Sequence, residues 1–189
     1  HAGREFDKGR NAISLLSQIN AELHQLNEQH SEVIVNLGVI NGGSAPNVVA
    51  ERAVCRIGVR VKDDQAAAWF DQQLTEIIEK YNREDGFSAK VQGNFHRPAK
   101  MFDEKTQLLF RALTQLGQAL NIDINHQPTG GCCDGNNLAA AGLPVIDSLG
   151  VRGGHIHSAQ EFILLDSVIE RAQLTALLLM ALANQEIQL

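Results

Sequence analysis

A small α+β sandwich followed by part of an α/β layer is the architecture this chain predicts, and three patterns predict it. The first is a pair of long amphipathic stripes in the N-terminal half, apolar at three- and four-residue spacing, around two apolar runs that alternate in part at period two. The second is a change of rhythm after Arg97-Pro98, where helical stripes alternate with short apolar runs. The third is a pair of Gly-rich loops, one at Thr129-Gly130-Gly131 and one carrying His155 and His157.

Taken in order, His1 to Gly9 is polar and is expected to finish a strand whose first half is missing. From Arg10 to His30, Ala12, Leu15, Leu16, Ile19, Leu23 and Leu26 form one stripe on a helix of about five to six turns. The runs Val33–Ile40 and Val48–Val61 flank a turn at Asn41 to Pro46. In the second run, Val54, Arg56, Gly58 and Arg60 share one face, and Cys55, Ile57, Val59 and Val61 the other. An antiparallel pair with one buried face follows. Asp63-Asp64 starts a second helix with Phe70, Leu74, Ile77, Ile78 and Tyr81 inward, Asp85-Gly86 ends it, and Phe87–Phe95 reads as a last strand. The order βαββαβ, its first strand truncated, is that of a split βαβ sandwich.

Arg97-Pro98 divides the chain into 1–98 and 99–189. Asp103 is a cap for a helix to about Leu120, with Leu108, Leu109, Leu113, Leu116 and Leu120 in register. Ile122–Asn125 reads as a short strand, Asp134-Gly135 as a helix start, and Val145-Ile146 as a buried strand. Asp166 reads as the N-cap of a Leu-rich helix to about Ala183. Three helices and two strands leave sheet edges uncovered, as a fragment of a larger α/β domain would. The chain opens on His1 without an initiator Met, which fits the same expectation.

Composition narrows the function classes. A net charge of −6 across 189 residues disfavours nucleic acid or an anionic membrane as partner. The longest apolar run, Ala176–Ala183, is far short of the ~20 residues of a membrane span. Three cysteines, Cys55, Cys132 and Cys133, form neither a disulfide framework nor a C-x-x-C zinc spacing, so a cytoplasmic location is expected. Cys132 and Cys133 read as small buried fillers, with a redox-sensitive pocket left open as an alternative.

The stretch TGGCCDGNNLAAAGLPVIDSLGVRGGHIHS, residues 129–158, gathers most of the chemistry-bearing residues. Loops at strand ends are rigidly held while their amides stay free for ligands. With TGG..D...AAAGLPVIDSLG, the following H-S-x-x-E, and the opening His1-Ala2-Gly3 with Gly9-x-Asn11-Ala12, the chain resembles the M20 metallopeptidases. The likeness is greatest to glutamate carboxypeptidases of the carboxypeptidase G2 type, with acetylornithine deacetylase and succinyl-diaminopimelate desuccinylase as relatives. It implies a lid (dimerisation) domain over 1–98 and the C-terminal segment of a zinc-dependent catalytic domain over 99–189.

What the resemblance implies can be assigned residue by residue. His157 would ligate one zinc of a binuclear site, a role that suits neutral imidazole on a rigid loop. By residue type alone it is a surface histidine on a Gly loop. His155, two residues away, would point to the opposite side of an extended segment and is not assigned to the metal. His1 matches a lid histidine that would hydrogen-bond the oxyanion in the partner subunit's site. Asn47 and Arg60 match substrate-binding positions, Arg60 suiting a carboxylate; without the likeness they are a turn residue and an exposed strand residue. Thr129, Gly130 and Gly131 match a substrate-facing loop whose amides meet a carboxylate. Asp134 sits at an acidic family position, and a cap for the following helix is its simplest role. Cys132 and Cys133 depart from the Gly, Ser or Thr usual there.

The family's other ligands and its Glu-Glu general base have no counterpart in this sequence. The expectation is therefore a homodimeric, zinc-dependent amidohydrolase or exopeptidase as the parent. Its substrate would be a peptide losing a C-terminal amino acid such as glutamate, or an N-acyl amino acid, and this chain would be inactive alone. The rival from another class is a non-catalytic dimerisation or carboxylate-binding module, and a third is a thiol oxidoreductase using the vicinal cysteines.

Overall fold

The computed structural model describes residues 1–187. The chain divides into two compact units, His1–Ala99 and Lys100–Leu189. The α+β expectation for the first unit holds: helix α1 (Ala12–Gln29), strands β1 (Val33–Gly42) and β2 (Ala53–Val61), and helix α2 (Asp64–Asn82). Two designed starts explain the helices. Asn11 Oδ1 accepts from the amides of Ile13 and Ser14 at the head of α1, and Asp63 accepts from Ala66 at the head of α2. These bonds satisfy amides that a helix start leaves unpaired.

The antiparallel β1–β2 pair runs from Val33 opposite Val61 to Gly42 opposite Ala53, with a bulge between Leu37 and Val39. Leu15, Ile19, Leu23 and Leu26 of α1 pack with Phe70, Ile77 and Tyr81 of α2 onto Val33 and Val35. Arg56 and Arg60 lie on the opposite, exposed face of β2. One polar residue enters the α1 stripe: Asn20, 6% exposed, with its Oδ1 buried and unpartnered; the thiol of Cys55 is pushed up from its ordinary pKa mainly by burial, with Asn20 acting the other way.

Several expected elements of this unit differ. His1–Gly9 is a turn and a short 3-10 helix at Phe6–Lys8, not the end of a strand. The polar segment Arg4 to Lys8 closes local hydrogen bonds to His1 and Glu5 carbonyls instead of a ladder. The second run becomes a strand only from Ala53. Residues 87–95 are extended and set Phe87, Ala89 and Phe95 against the core, yet they join no ladder among the described residues. The Asn82 carboxamide takes both backbone groups of Ala89, at 2.6 and 3.0 Å, where a strand neighbour would otherwise bond.

The second unit contains α3 (Glu104–Ala119), α4 (Gly135–Ala140), the two-residue strands β3 (Gly153–Gly154) and β4 (Phe162–Ile163), and α5 (Asp166–Ala183). Asp103 caps α3 by accepting from Thr106, as expected. Leu109 and Leu113 pack with Leu174 and Leu178 of α5 over Ile122 and Ile124; Leu108, placed in that stripe by spacing, is exposed. Ile122–Asn125 and Val145-Ile146 are not strands, because no described segment offers them a ladder. Gly117 lets the first of these approach α3, since a Cβ there would lie 2.7 Å from Ile124 Cγ1. Asp166 is the first helical residue of α5 and Leu165 holds the N-cap position without a side-chain bond. Ser167, fully buried, instead accepts from Arg152 N–H and donates to the Leu164 carbonyl.

Candidate functional site

The histidine loop is built by the shorter of the two sheets among the described residues. Gly153 pairs with Ile163 and Gly154 with Phe162, so β3 and β4 close a hairpin around residues 155–161. Gly153 permits it: a Cβ there would overlap the Phe162 carbonyl oxygen. Inside the hairpin the His155 carbonyl accepts from Ser158 N–H and Oγ–H, and Ser158 Oγ accepts from Gln160 N–H. Glu161 Oε2 accepts from the His157 amide at 3.1 Å. The sequence marks this glutamate only as the last residue of H-S-x-x-E; its work here is to hold the backbone that carries His157.

Both histidines sit in the left-handed region, His155 at φ +56° and His157 at φ +65°. That backbone is unfavourable for side-chain-bearing residues and concentrates at sites where geometry matters more than stability. It also corrects the extended-segment geometry expected from sequence, because a chain turning through two left-handed residues does not alternate its side chains. His155 tilts against Phe162, ring centroids 5.9 Å apart, while His157 is exposed with only its amide engaged.

The Thr129 loop has a stem and a lock. His126 stacks on Phe102 at 4.3 Å and meets Phe110 edge-on at 4.9 Å, fixing the chain three residues upstream. Thr129 Oγ1 then accepts from the Gly131 amide at 3.2 Å. That amide, expected to be open to a carboxylate, is thus held by its own loop. Beyond it, Cys132 and Cys133 are exposed free thiols, not buried fillers. Cys133 Sγ donates to Asp147 Oδ2 at 3.4 Å, and the Lys100 ammonium pairs with the same carboxylate. Lys100, with smaller help from Cys133 and Ser148, holds Asp147 below the usual carboxylate range. No sequence pattern announced this cluster, which joins residues 47 positions apart. Asp134 occupies the N-cap position of α4 without a side-chain cap bond.

In the first unit, His1 is exposed and its Nδ1 accepts from Gly3 N–H at 3.1 Å. Asn47 lies in the exposed turn before β2, where its carbonyl accepts from Ala2 N–H. Arg60 lies on the outer face of β2 beside Gly58, its Nη1 3.8 Å from where a Cβ on Gly58 would stand. Among the described residues no three His, Cys, Asp or Glu side chains are placed to hold a metal ion. The imidazole of His157 is one donor where a structural or catalytic zinc takes three or four. Among the described residues His157 thus offers one donor toward a metal and not a complete centre.

Residues 1–86 match the M20 peptidase dimerisation domain family. A crystal structure of aminopeptidase PepT from Bacillus cereus ATCC 10987 superposes at TM-score 0.73 and 23% identity, covering 94% of this chain and 47% of that one. A tripeptidase from Staphylococcus aureus subsp. aureus Mu50 gives 0.75 and 23%, with the same coverage of 94% and 47%. YxeP of Bacillus subtilis, described as a dinuclear metal-binding peptidase of the M20 family, gives 0.68 at 17%, again over 94% and 47%. At these identities the likeness shows a shared fold, and the chain spans about half the length of each structure. No curated protein matches the sequence. The first 86 residues thus match a peptidase dimerisation domain, and the chain as a whole shares the fold of about half of each of these structures.

Proposed function

We propose that these residues supply the dimerisation domain and the closing segment of the catalytic domain of a zinc-dependent exopeptidase or amidohydrolase. The substrate would be a short peptide losing a C-terminal amino acid, glutamate among the candidates, or an N-acyl amino acid. One observation carries the reading: a hairpin that spends two left-handed residues and a carboxylate–amide bond to present the His157 imidazole to solvent. Zinc would supply an activated water and polarise the scissile carbonyl. His157 would donate one ligand, Arg60 and the Thr129–Gly131 loop would meet the substrate carboxylate, Asn47 would orient the substrate, and His1 would reach the oxyanion of the partner subunit's site. Catalysis would belong to a homodimeric whole protein, and this chain alone would not turn over substrate.

The test is hydrolysis of a panel of short peptides and N-acyl amino acids by the whole protein, with its metal content measured. His157→Ala should lower kcat at least 100-fold and reduce bound metal by one equivalent per subunit; retention of both overturns the reading. The second reading is a dimerisation or carboxylate-binding module without turnover. The incomplete donor set among the described residues favours it for the isolated chain. Saturable binding of glutamate by the chain, lost in Arg60→Ala, would support it.

A further inference from the structure

The outer face of the β1–β2 sheet, turned away from the two helices, carries cations and no anion. Neither strand contains an Asp or Glu, in a chain whose net charge is −6. Residues directly opposite one another share a face: Ile34 opposes Arg60, Asn36 opposes Gly58, and Val39 opposes Arg56. All of these except the half-buried glycine are exposed. The nearest acid in register, Glu32 just before β1, is taken by the Lys62 ammonium. Among the described residues no carboxylate pairs with Arg56 or Arg60, and the Asn36 carboxamide has no hydrogen-bond partner.

The two charges are gathered rather than spread. Arg60 bends back along its own strand, with Nη1 3.8 Å from where a Cβ on Gly58 would stand. Its guanidinium therefore lies by the residue midway between the two arginines, one step of about 7 Å along the strand from Arg56. Like charges drawn together without a counter-ion cost Coulomb energy, and an anion between them recovers it. Gly58 supplies the floor. A glycine inside a strand weakens it and marks a place where another group comes close. The bulge of this sheet belongs to β1, between Leu37 and Val39, and does not account for a glycine in β2. Ile34 and Val39, 50% and 46% exposed, border the floor with apolar surface suited to a short methylene chain.

We propose that Arg56 is the specificity-determining residue of a dicarboxylate subsite on this face. Arg60 takes the α-carboxylate of an acidic amino acid and Arg56 its side-chain carboxylate, with the ligand lying across Gly58. The proposal rests on the carboxylate-binding role read above for Arg60 and adds the second anionic group that the ligand must carry. Each guanidinium is a planar fork that matches one carboxylate with two parallel hydrogen bonds, so two forks select two carboxylates. Glutamine has the shape of glutamate without the second charge, which makes the pair a direct probe.

Titration of the whole chain with glutamate and with glutamine, followed by residue-resolved amide chemical shifts, tests this. Glutamate should bind about 10-fold or more tightly than glutamine, as a second charge-assisted fork implies. It should shift the Gly58 and Val39 amides, and the preference should shrink as added salt screens the charges. Arg56→Gln should bring glutamate down to the glutamine level, and Arg60→Gln should abolish binding of both. Gly58→Asp places a carboxylate between the guanidiniums and should exclude glutamate with unchanged far-UV circular dichroism. Equal affinity for the two ligands, or a preference that survives Arg56→Gln, overturns the subsite; loss of both ligands in Arg60→Gln then leaves the role of Arg60 standing. A chain that shows no shift with either ligand overturns both.

Discussion

The two units handle left-handed backbone in opposite ways. In His1–Ala99 the described positive-φ residues are glycines, Gly43, Gly86 and Gly93, where no side chain resists the geometry. In the second unit they are Asn121, Ser148, His155, His157 and Gln185, with Gly142 as the one glycine. The first unit is a locally consistent sandwich in which helix stripes, caps and alternating strands favour the same structure. The second rests on an α3–α5 core but spends stability on loops that present polar side chains. A scaffold is consistent with itself at every level, and a site departs from that consistency.

The largest test of the contrast is in the two cores. Leu174, fully buried in the second unit, and Leu23, 4% exposed in the first, should each cost about 2–5 kcal/mol on truncation to Ala. Trp69 is the only tryptophan and packs against the first core. Leu23→Ala should therefore shift unfolding followed by Trp69 fluorescence and by circular dichroism. Leu174→Ala should shift only the circular dichroism, and equal shifts in both signals would mean the cores do not melt separately.

Gly153→Ala comes next. The new Cβ meets the Phe162 carbonyl oxygen, so β3 and β4 must separate at a cost of roughly 1–3 kcal/mol. Fast exchange of the Leu164 amide, now bonded to the Arg152 carbonyl at 2.8 Å, would report it. His157→Gly should act in the other direction. Relief of the left-handed backbone should raise stability by about 1 kcal/mol or less, seen as a higher melting midpoint, while abolishing the hydrolysis proposed above for the whole protein. A loss of stability would mean that the imidazole makes contacts which outweigh the strain.

The smallest effect is a pH dependence confined to the scaffold. Glu22 bonds Lys80 Nζ and Tyr81 Oη, each at 2.5 Å. The Lys80 bond first, then that of Tyr81, holds its carboxyl below the ordinary value. A lowered folded-state pKa gives stability that is present above the unfolded value of roughly 4.3 and lost as pH falls through the folded one. Acid titration of stability should be shallower in Glu22→Gln between pH 5 and about 2. An identical slope would show that the partly exposed pair is screened away.

What the sequence determined by itself was local: the α1 and α2 stripes, the caps at Asp63 and Asp103, the facing of β2 with Arg56 and Arg60 outward, and the likeness of residues 1–86 to the M20 dimerisation domain. Each is set by neighbours within a few residues, where periodicity and side-chain chemistry suffice. Only the tertiary structure decided which extended runs become strands. A ladder requires a partner, and residues 87–95, 122–125 and 145–146 find none among the described residues. It also decided that Asn27 and Asn82 clamp backbone seven or eight positions onward, that Lys100, Cys133 and Asp147 meet, and that the histidine loop turns left-handed. Those features depend on where distant atoms arrive, and no spacing along the chain encodes that.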